Sequence, residues 1–216
     1  MWNAGRSRDY LTRTGLPPYE AAPNQTAIHF LDVHGDAILL ESGGRFALID
    51  AGEDSGDVLD YIKRVTGGRL DFILGTHAHS DHIGGFDTLI LDPDITVGRA
   101  YLKPFVPFKQ EYKKGMADRG DYERMLSALS ARGVPLIQDI PEEPFALGDF
   151  TLTFFGGGYN GKPPYDENDN SVGLLVEACG QRAFLAADMN NYGGGEPRRG
   201  PVGARAVVAA LLRRGF

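Results

Sequence analysis

An α+β domain is the fold class that this sequence predicts, on three observations. Short apolar runs separated by glycine-bearing turns between Ala27 and Ile49 read as a meander of strands. A helical stripe followed by the continuous apolar run Leu70–Leu74 reads as a β-α-β step with a buried strand. Two further hairpins lie between Phe145 and Ala187.

Residues 1–26 mix Arg, Pro, Asn and Thr without periodicity and read as an irregular N-terminal leader or edge. The first three strands are expected at Ala27–Val33, Asp36–Glu41 and Arg45–Ile49, punctuated by His34-Gly35 and Ser42-Gly43-Gly44, with Asp50-Ala51-Gly52 closing the third. Val58, Leu59, Ile62 and Val65 form one stripe of a helix over Ser55–Val65, which Gly67-Gly68 stops. Leu70–Leu74 then delivers a polar loop at its C-terminal end, where open α/β sheets place their sites. A helix over Asp121–Ala131 follows, then a hairpin over Phe145–Phe155 turning at Gly148-Asp149. A second hairpin, Val172–Ala178 with Arg182–Ala187, puts Asp188 at its end. Residues 27–195 are thus expected to form the domain. Residues 196–216 are an atypical tail rich in Arg, Ala and Gly, whose five arginines and one glutamate give +4 and leave −11 for residues 1–195. Either a basic C-terminal helix or an end foreign to the fold would look this way.

A chain of 216 residues with 42% hydrophobic content suffices for one sizeable core and is cramped for two domains. Its net charge of −7 and pI near 5.2 argue against a nucleic-acid partner bound through a basic face. The single cysteine, Cys179, excludes an internal disulfide framework and a cysteine-rich zinc module, so any metal would be held by histidine and carboxylate. The N-terminus lacks the apolar core of a secretory signal, and no stretch approaches the roughly 18 apolar residues of a membrane span. As written the chain reads as cytoplasmic, with an extracytoplasmic location open if the true N-terminus differs.

The chemistry concentrates in Thr76-His77-Ala78-His79-Ser80-Asp81-His82, a window holding three of the chain's five histidines. His77 and His79 lie two apart, so in an extended loop their imidazoles point the same way and can share one divalent ion. Asp81 and His82, at the start of an expected helix, can face a second. Gly84 and Gly85 let the backbone pass close beneath. His29, in a strand, and His34, in a turn, read as structural or exposed residues.

Thr76 to Gly85 resembles the histidine-rich signature of the metallo-β-lactamase superfamily. The resemblance implies a four-layer αββα sandwich with two divalent metals at the sheet edge, zinc first, with manganese or iron as alternatives. It implies His77, His79, Asp81, His82 and Asp188 as metal ligands, Asp188 bridging both ions, and Asp81 as the catalytic residue that orients a metal-bound hydroxide. Asp50 matches the acidic position that buttresses the metal loop without ligating metal. Two branches are most similar. Gly35 to Ser42 and Ala47 to Asp54 resemble the catalytic domain of bacterial phosphorylcholine esterases. Asn168-Asp169-Asn170-Ser171 and Phe184 to Asp188 occur in related form there and in the hydrolase-like domain of DNA-uptake channel proteins.

The pattern departs from the superfamily in two places. No histidine follows His82, so Asp169 or Asn170 are candidates to complete or line the site, a plain Asn/Asp turn being the equal alternative. These families also continue beyond the bridging aspartate to another histidine, whereas this chain ends at Phe216, so its C-terminal half is expected to be incomplete. The reading is a metal-dependent hydrolase of phosphoesters, cleaving a small-molecule or cell-envelope substrate. The alternative is a truncated, catalytically incompetent fragment or pseudo-enzyme of the same fold. A nucleic-acid-processing hydrolase is disfavoured by the acidic residues 1–195. Tyr101, Phe105, Phe108, Tyr112, Tyr159 and Tyr165 could form an aromatic wall suited to a quaternary ammonium group.

Overall fold

The computed structural model describes residues 25–54, 56–105, 116–156, 167–189 and 211–212. Residues 1–24 of the N-terminal leader, almost all of the tail, and Phe108, Tyr112, Tyr159 and Tyr165 lie outside the described residues.

Strands β1 (Thr26–Phe30), β2 (Ile38–Ser42) and β3 (Arg45–Ile49) run antiparallel, and Gly43-Gly44 joins the last two with φ of 57° and 73°. Positive φ at both central residues gives the turn whose twist matches the strands, and glycine adopts it without strain. Helix α1 (Gly56–Thr66) leads through the short β4 (Arg69–Leu70) to β5 (Phe72–Gly75), which pairs parallel with β3. Strands β7 (Ala100–Leu102) and β8 (Leu136–Ile137) extend this sheet in parallel to the order β1-β2-β3-β5-β7-β8, while β6 (Thr96–Val97) pairs with β4. Helices α2 (Ser80–Ile83), α3 (Phe86–Leu91) and α4 (Met116–Arg132) follow β5 and β7. A second, antiparallel sheet has the order β12-β11-β10-β9, built from β9 (Phe145–Leu147), β10 (Phe150–Phe155), β11 (Gly173–Ala178) and β12 (Gln181–Leu185).

The central strands read as continuous apolar runs because they are covered on both faces. Leu39, Leu48, Ile73 and Ala100 pack toward Val58 and Ile62 of α1, Leu89 of α3 and Met125 of α4. Their neighbours Leu40, Ala47, Ile49, Leu74 and Tyr101 point the other way, against Leu152 and Phe154 of β10 and Leu174 and Val176 of β11. Helices, six-stranded sheet and four-stranded sheet thus form three layers. On the outer face of the second sheet Phe155 and Leu175 meet Leu211, the side on which the expected second helical layer belongs.

Three expectations shift. The run Leu70–Leu74 is divided at Asp71, whose carboxylate accepts from the Phe46 amide (2.8 Å) in place of a ladder carbonyl and pairs with Arg45 (2.9 Å), while its own amide donates to the Phe46 carbonyl (2.7 Å). The helix expected from Asp121 begins at Met116, and Gly133 with φ of 65° ends it. Tyr101 of the suggested aromatic wall is a core residue packed on Phe72 and Phe154, and Phe105 packs against Tyr122. Among the described residues no helix is long and apolar enough to cross a membrane.

Candidate metal centre

Every candidate ligand sits at the same edge of the sheets. Asp50 ends β3 in the left-handed region (φ 58°), and its amide donates to the Leu74 carbonyl (2.8 Å), which locks it beside the end of β5. Its carboxylate, fully buried, accepts from the Thr76 amide (2.8 Å), the Thr76 hydroxyl (2.7 Å) and His82 Nδ1 (2.8 Å). Burial pushes the Asp50 carboxyl up, and the hydrogen bonds from His82 and Thr76 oppose that push.

These bonds determine which imidazole nitrogens are available. The single Thr76 hydroxyl proton goes to Asp50, so toward His77 Nδ1, 3.1 Å away, that oxygen can only accept. His77 is therefore protonated at Nδ1, and its Nε2 lone pair faces the site, 3.0 Å from His79 Nδ1. Burial, reinforced by the neighbouring His82 and His79, holds His77 well below the ordinary imidazole range, so it stays neutral. His82 likewise gives its Nδ1 proton to Asp50 and turns Nε2 toward Asp188 Oδ1 (3.7 Å) and Asp81 Oδ1 (4.0 Å). Burial opposes a charge on His82, but the Asp50 bond and the carboxylates of Asp50, Asp81 and Asp188 overcome it and raise the group to about 9.

The loop is clamped from the far side by the 3₁₀ turn Glu167–Asn170. Val172 N donates to the Thr76 carbonyl (2.9 Å), and buried Glu167 accepts from the Ala78 amide (3.1 Å) between the two histidines. Asn170 donates to Glu167 (3.2 Å) and to the Pro104 carbonyl (3.4 Å), which places it behind the loop. The Asp169 side chain lies outside the described residues. Buried Lys103 donates to the Gly156 carbonyl (2.8 Å); burial pushes it down to about 8 against the opposing charges of Glu167 and Glu142.

Two clusters result. Donor atoms of His77, His79 and Asp188 lie within 4.8 Å of one another, and so do those of Asp36, His82 and Asp188. Asp188 belongs to both. Imidazole nitrogens and carboxylate oxygens, with no thiolate, suit zinc and related divalent ions, so the residues present fit a metal pair. Asp81 stands beside the second cluster, its side chain half exposed. Gly84 is needed where it is, since a Cβ there would overlap the Ser80 and Glu53 carbonyl oxygens. The other two histidines are structural: His29 bridges Glu41 (3.0 Å) and the Tyr61 hydroxyl (2.9 Å), and exposed His34 pairs with Glu53 (2.8 Å).

Sequence reasoning missed Asp36 and Glu167. Asp36 was expected as the first residue of a strand, yet β2 begins only at Ile38 and Asp36 belongs to the preceding loop. Glu167 carries no local signal, because its partner Ala78 is 89 residues away in the chain.

A mixed α+β sandwich with histidines and aspartates gathered at the end of β5 defines a metallo-β-lactamase fold. The model of the Metallo-beta-lactamase superfamily matches residues 31–210, and the chain belongs to that family. Among solved structures it resembles the MIM-2 metallo-beta-lactamase at 20% identity, covering 91% of this chain and 71% of that one with a TM-score of 0.53. The metallo-beta-lactamase fold protein YhfI from Bacillus subtilis aligns at 17% identity over 74% of this chain, TM-score 0.47, and the chain spans 57% of that protein's length. Zn(2+)-bound PqqB from Methylobacterium extorquens aligns at 18% identity over 81% of this chain and 53% of its own length, TM-score 0.43. Comparison with curated proteins gives no significant match.

Proposed function

We propose that this chain is a metal-dependent hydrolase holding two divalent ions, zinc foremost, and acting on phosphoesters. The observation that carries the reading is the pair of donor clusters sharing Asp188 at the mouth of β5, each with its atoms inside 4.8 Å. His77, His79 and Asp188 would hold one ion; His82 and Asp188, with Asp81 beside them, the other. Ions bound there would supply Lewis acidity toward the substrate and toward a water nucleophile.

The chain's own groups do the rest. Asp50 fixes His82 directly, and His77 through Thr76, with Nε2 of each ring facing the site, so loading requires His82 to give up its Nε2 proton but neither ring to turn. Asp81, half exposed and 4.0 Å from His82 Nε2, is placed to orient the attacking water and accept its proton. Burial of His77 and His82 keeps solvent from the rear of the site. The phosphoester class rests on the likeness of Gly35 to Ser42, Ala47 to Asp54 and Asn168 to Ser171 to the phosphorylcholine esterase pattern.

Metal analysis of the purified chain, paired with hydrolysis of bis-p-nitrophenyl phosphate and p-nitrophenylphosphorylcholine, tests this. The expected result is about two ions per chain and turnover that chelation abolishes, with His79→Ala and Asp188→Ala each losing metal. Full metal content in both variants, or none in the native chain, would overturn the site.

A further inference from the structure

We infer that Asp36, in the loop between β1 and β2, is a protein ligand of the ion held by His82 and Asp188. This rests on the two-metal reading above and adds to it a donor from outside the histidine loop and the second sheet.

The loop is built to hold Asp36 in place. The Asp36 amide donates to the Asp81 carbonyl (3.1 Å), and the Asp36 carbonyl accepts from the Gly52 amide (2.9 Å), so its backbone is fixed from both sides by the segments that carry the site. Gly35 takes φ of 89°, and a Cβ there would overlap the Asp81 carbonyl carbon and oxygen, so the chain lies flat against the metal loop at that point. A backbone so held leaves only the Asp36 side-chain torsions to be ordered when a ligand binds.

The groups around it suit a divalent cation. A carboxylate oxygen of Asp36, one of Asp188 and a nitrogen of His82 lie within 4.8 Å of one another. Like-charged carboxylates at that separation repel unless a positive centre sits between them. Among the described residues no lysine or arginine pairs with Asp36, Asp81 or Asp188. His82 Nε2, nearly fully buried, points at this group from beyond hydrogen-bond distance of Asp188 and Asp81. One imidazole nitrogen and two carboxylates facing a common point make a three-donor set open to a fourth ligand, the arrangement of a reactive zinc site.

The test is calorimetric titration of the metal-free chain with Zn²⁺, repeated with Co²⁺ and visible absorption, for the native protein and Asp36→Asn. Asp36→Asn keeps the shape and both backbone hydrogen bonds. Two ions are expected in the native chain. In the variant one ion should bind as before while the other weakens at least about tenfold. A second ion bound with native affinity by a folded variant sinks the role of Asp36 and leaves the two-metal reading intact. No metal bound by the native chain sinks both. A zinc-edge anomalous map of the native protein gives an answer independent of how the variant folds: Asp36 oxygen within about 2.2 Å of the ion supports the ligand role, and an ion clearly out of its reach refutes it.

Discussion

Replacing Asp50 by Asn should disable both metal positions through a carboxylate that touches neither. The substitution is nearly isosteric, and Asn tolerates the left-handed φ of 58° at this position. One amide oxygen can still accept from the Thr76 N–H, but the NH₂ must face the Thr76 hydroxyl and His82 Nδ1, which both donate to the native Asp50 Oδ2. The Thr76 hydroxyl would then accept from the amide and turn its proton toward His77 Nδ1, moving the His77 proton to Nε2. His82 Nδ1 would have to accept as well, so His82 would lose its charge and keep its one proton on Nε2. Two charge-assisted bonds become neutral ones, a loss of about 2 kcal/mol that relief of a buried charge partly offsets. The larger effect is on loading, since groups that orient metal ligands are worth about 10–100-fold in affinity. Zinc calorimetry should show both ions weakened by roughly this factor, and ¹⁵N–¹H correlation spectra of the metal-free variant should show His77 in the other tautomer and His82 no longer doubly protonated at neutral pH. Native affinity in Asp50→Asn, or an unchanged His77 tautomer, would refute the reasoning.

The metal-free chain should show a pH-dependent stability from His82. Its folded pKa, about 9, lies above the ordinary imidazole value of 6.5, so its stabilisation is complete below 6.5 and disappears as pH rises through about 9. The shift corresponds to about 3 kcal/mol as an upper figure, and denaturation in chelator at about pH 6 and pH 9.5 reads it; equal stability at both would contradict it. Gly35→Ala should cost at least about 2 kcal/mol in thermal or urea unfolding, since it adds overlap with the Asp81 carbonyl to a left-handed φ. Gly43→Ala has the same sign of φ but open space, so it should cost only about 1 kcal/mol, and equal losses would discount the close approach. Phe154→Ala, emptying the space beside Phe72, Tyr101 and Phe145, should cost about 3–5 kcal/mol by urea unfolding; a loss under about 1 kcal/mol would mean the two sheets do not share that core.

Much of the frame is written locally. The strands of the meander, α1 and the hairpins at β9–β10 and β11–β12 follow from period, glycine turns and apolar runs, which depend on neighbours a few residues apart. The short strands β6, β7 and β8 were not legible, because two or three residues carry no period and are strands only through pairing with distant partners. The break at Asp71 was hidden too, since its reason is the amide of Phe46 on another strand.

The same division runs through the site. His77, His79, Asp81 and His82 stand together in the sequence, so their candidacy needs only residue chemistry and spacing. Asp188 and Asp50 were reached through resemblance and strand ends, not through contact. Tertiary structure alone brings Asp36 to His82 and Asp188, sets Glu167 against the Ala78 amide, and hands the Thr76 hydroxyl proton to Asp50, which selects the His77 tautomer. The physical reason is that a donor set is legible when its members are neighbours on the chain. The direction of a hydrogen bond, and the approach of a loop from elsewhere, exist only once the strands between them have paired and the core has closed.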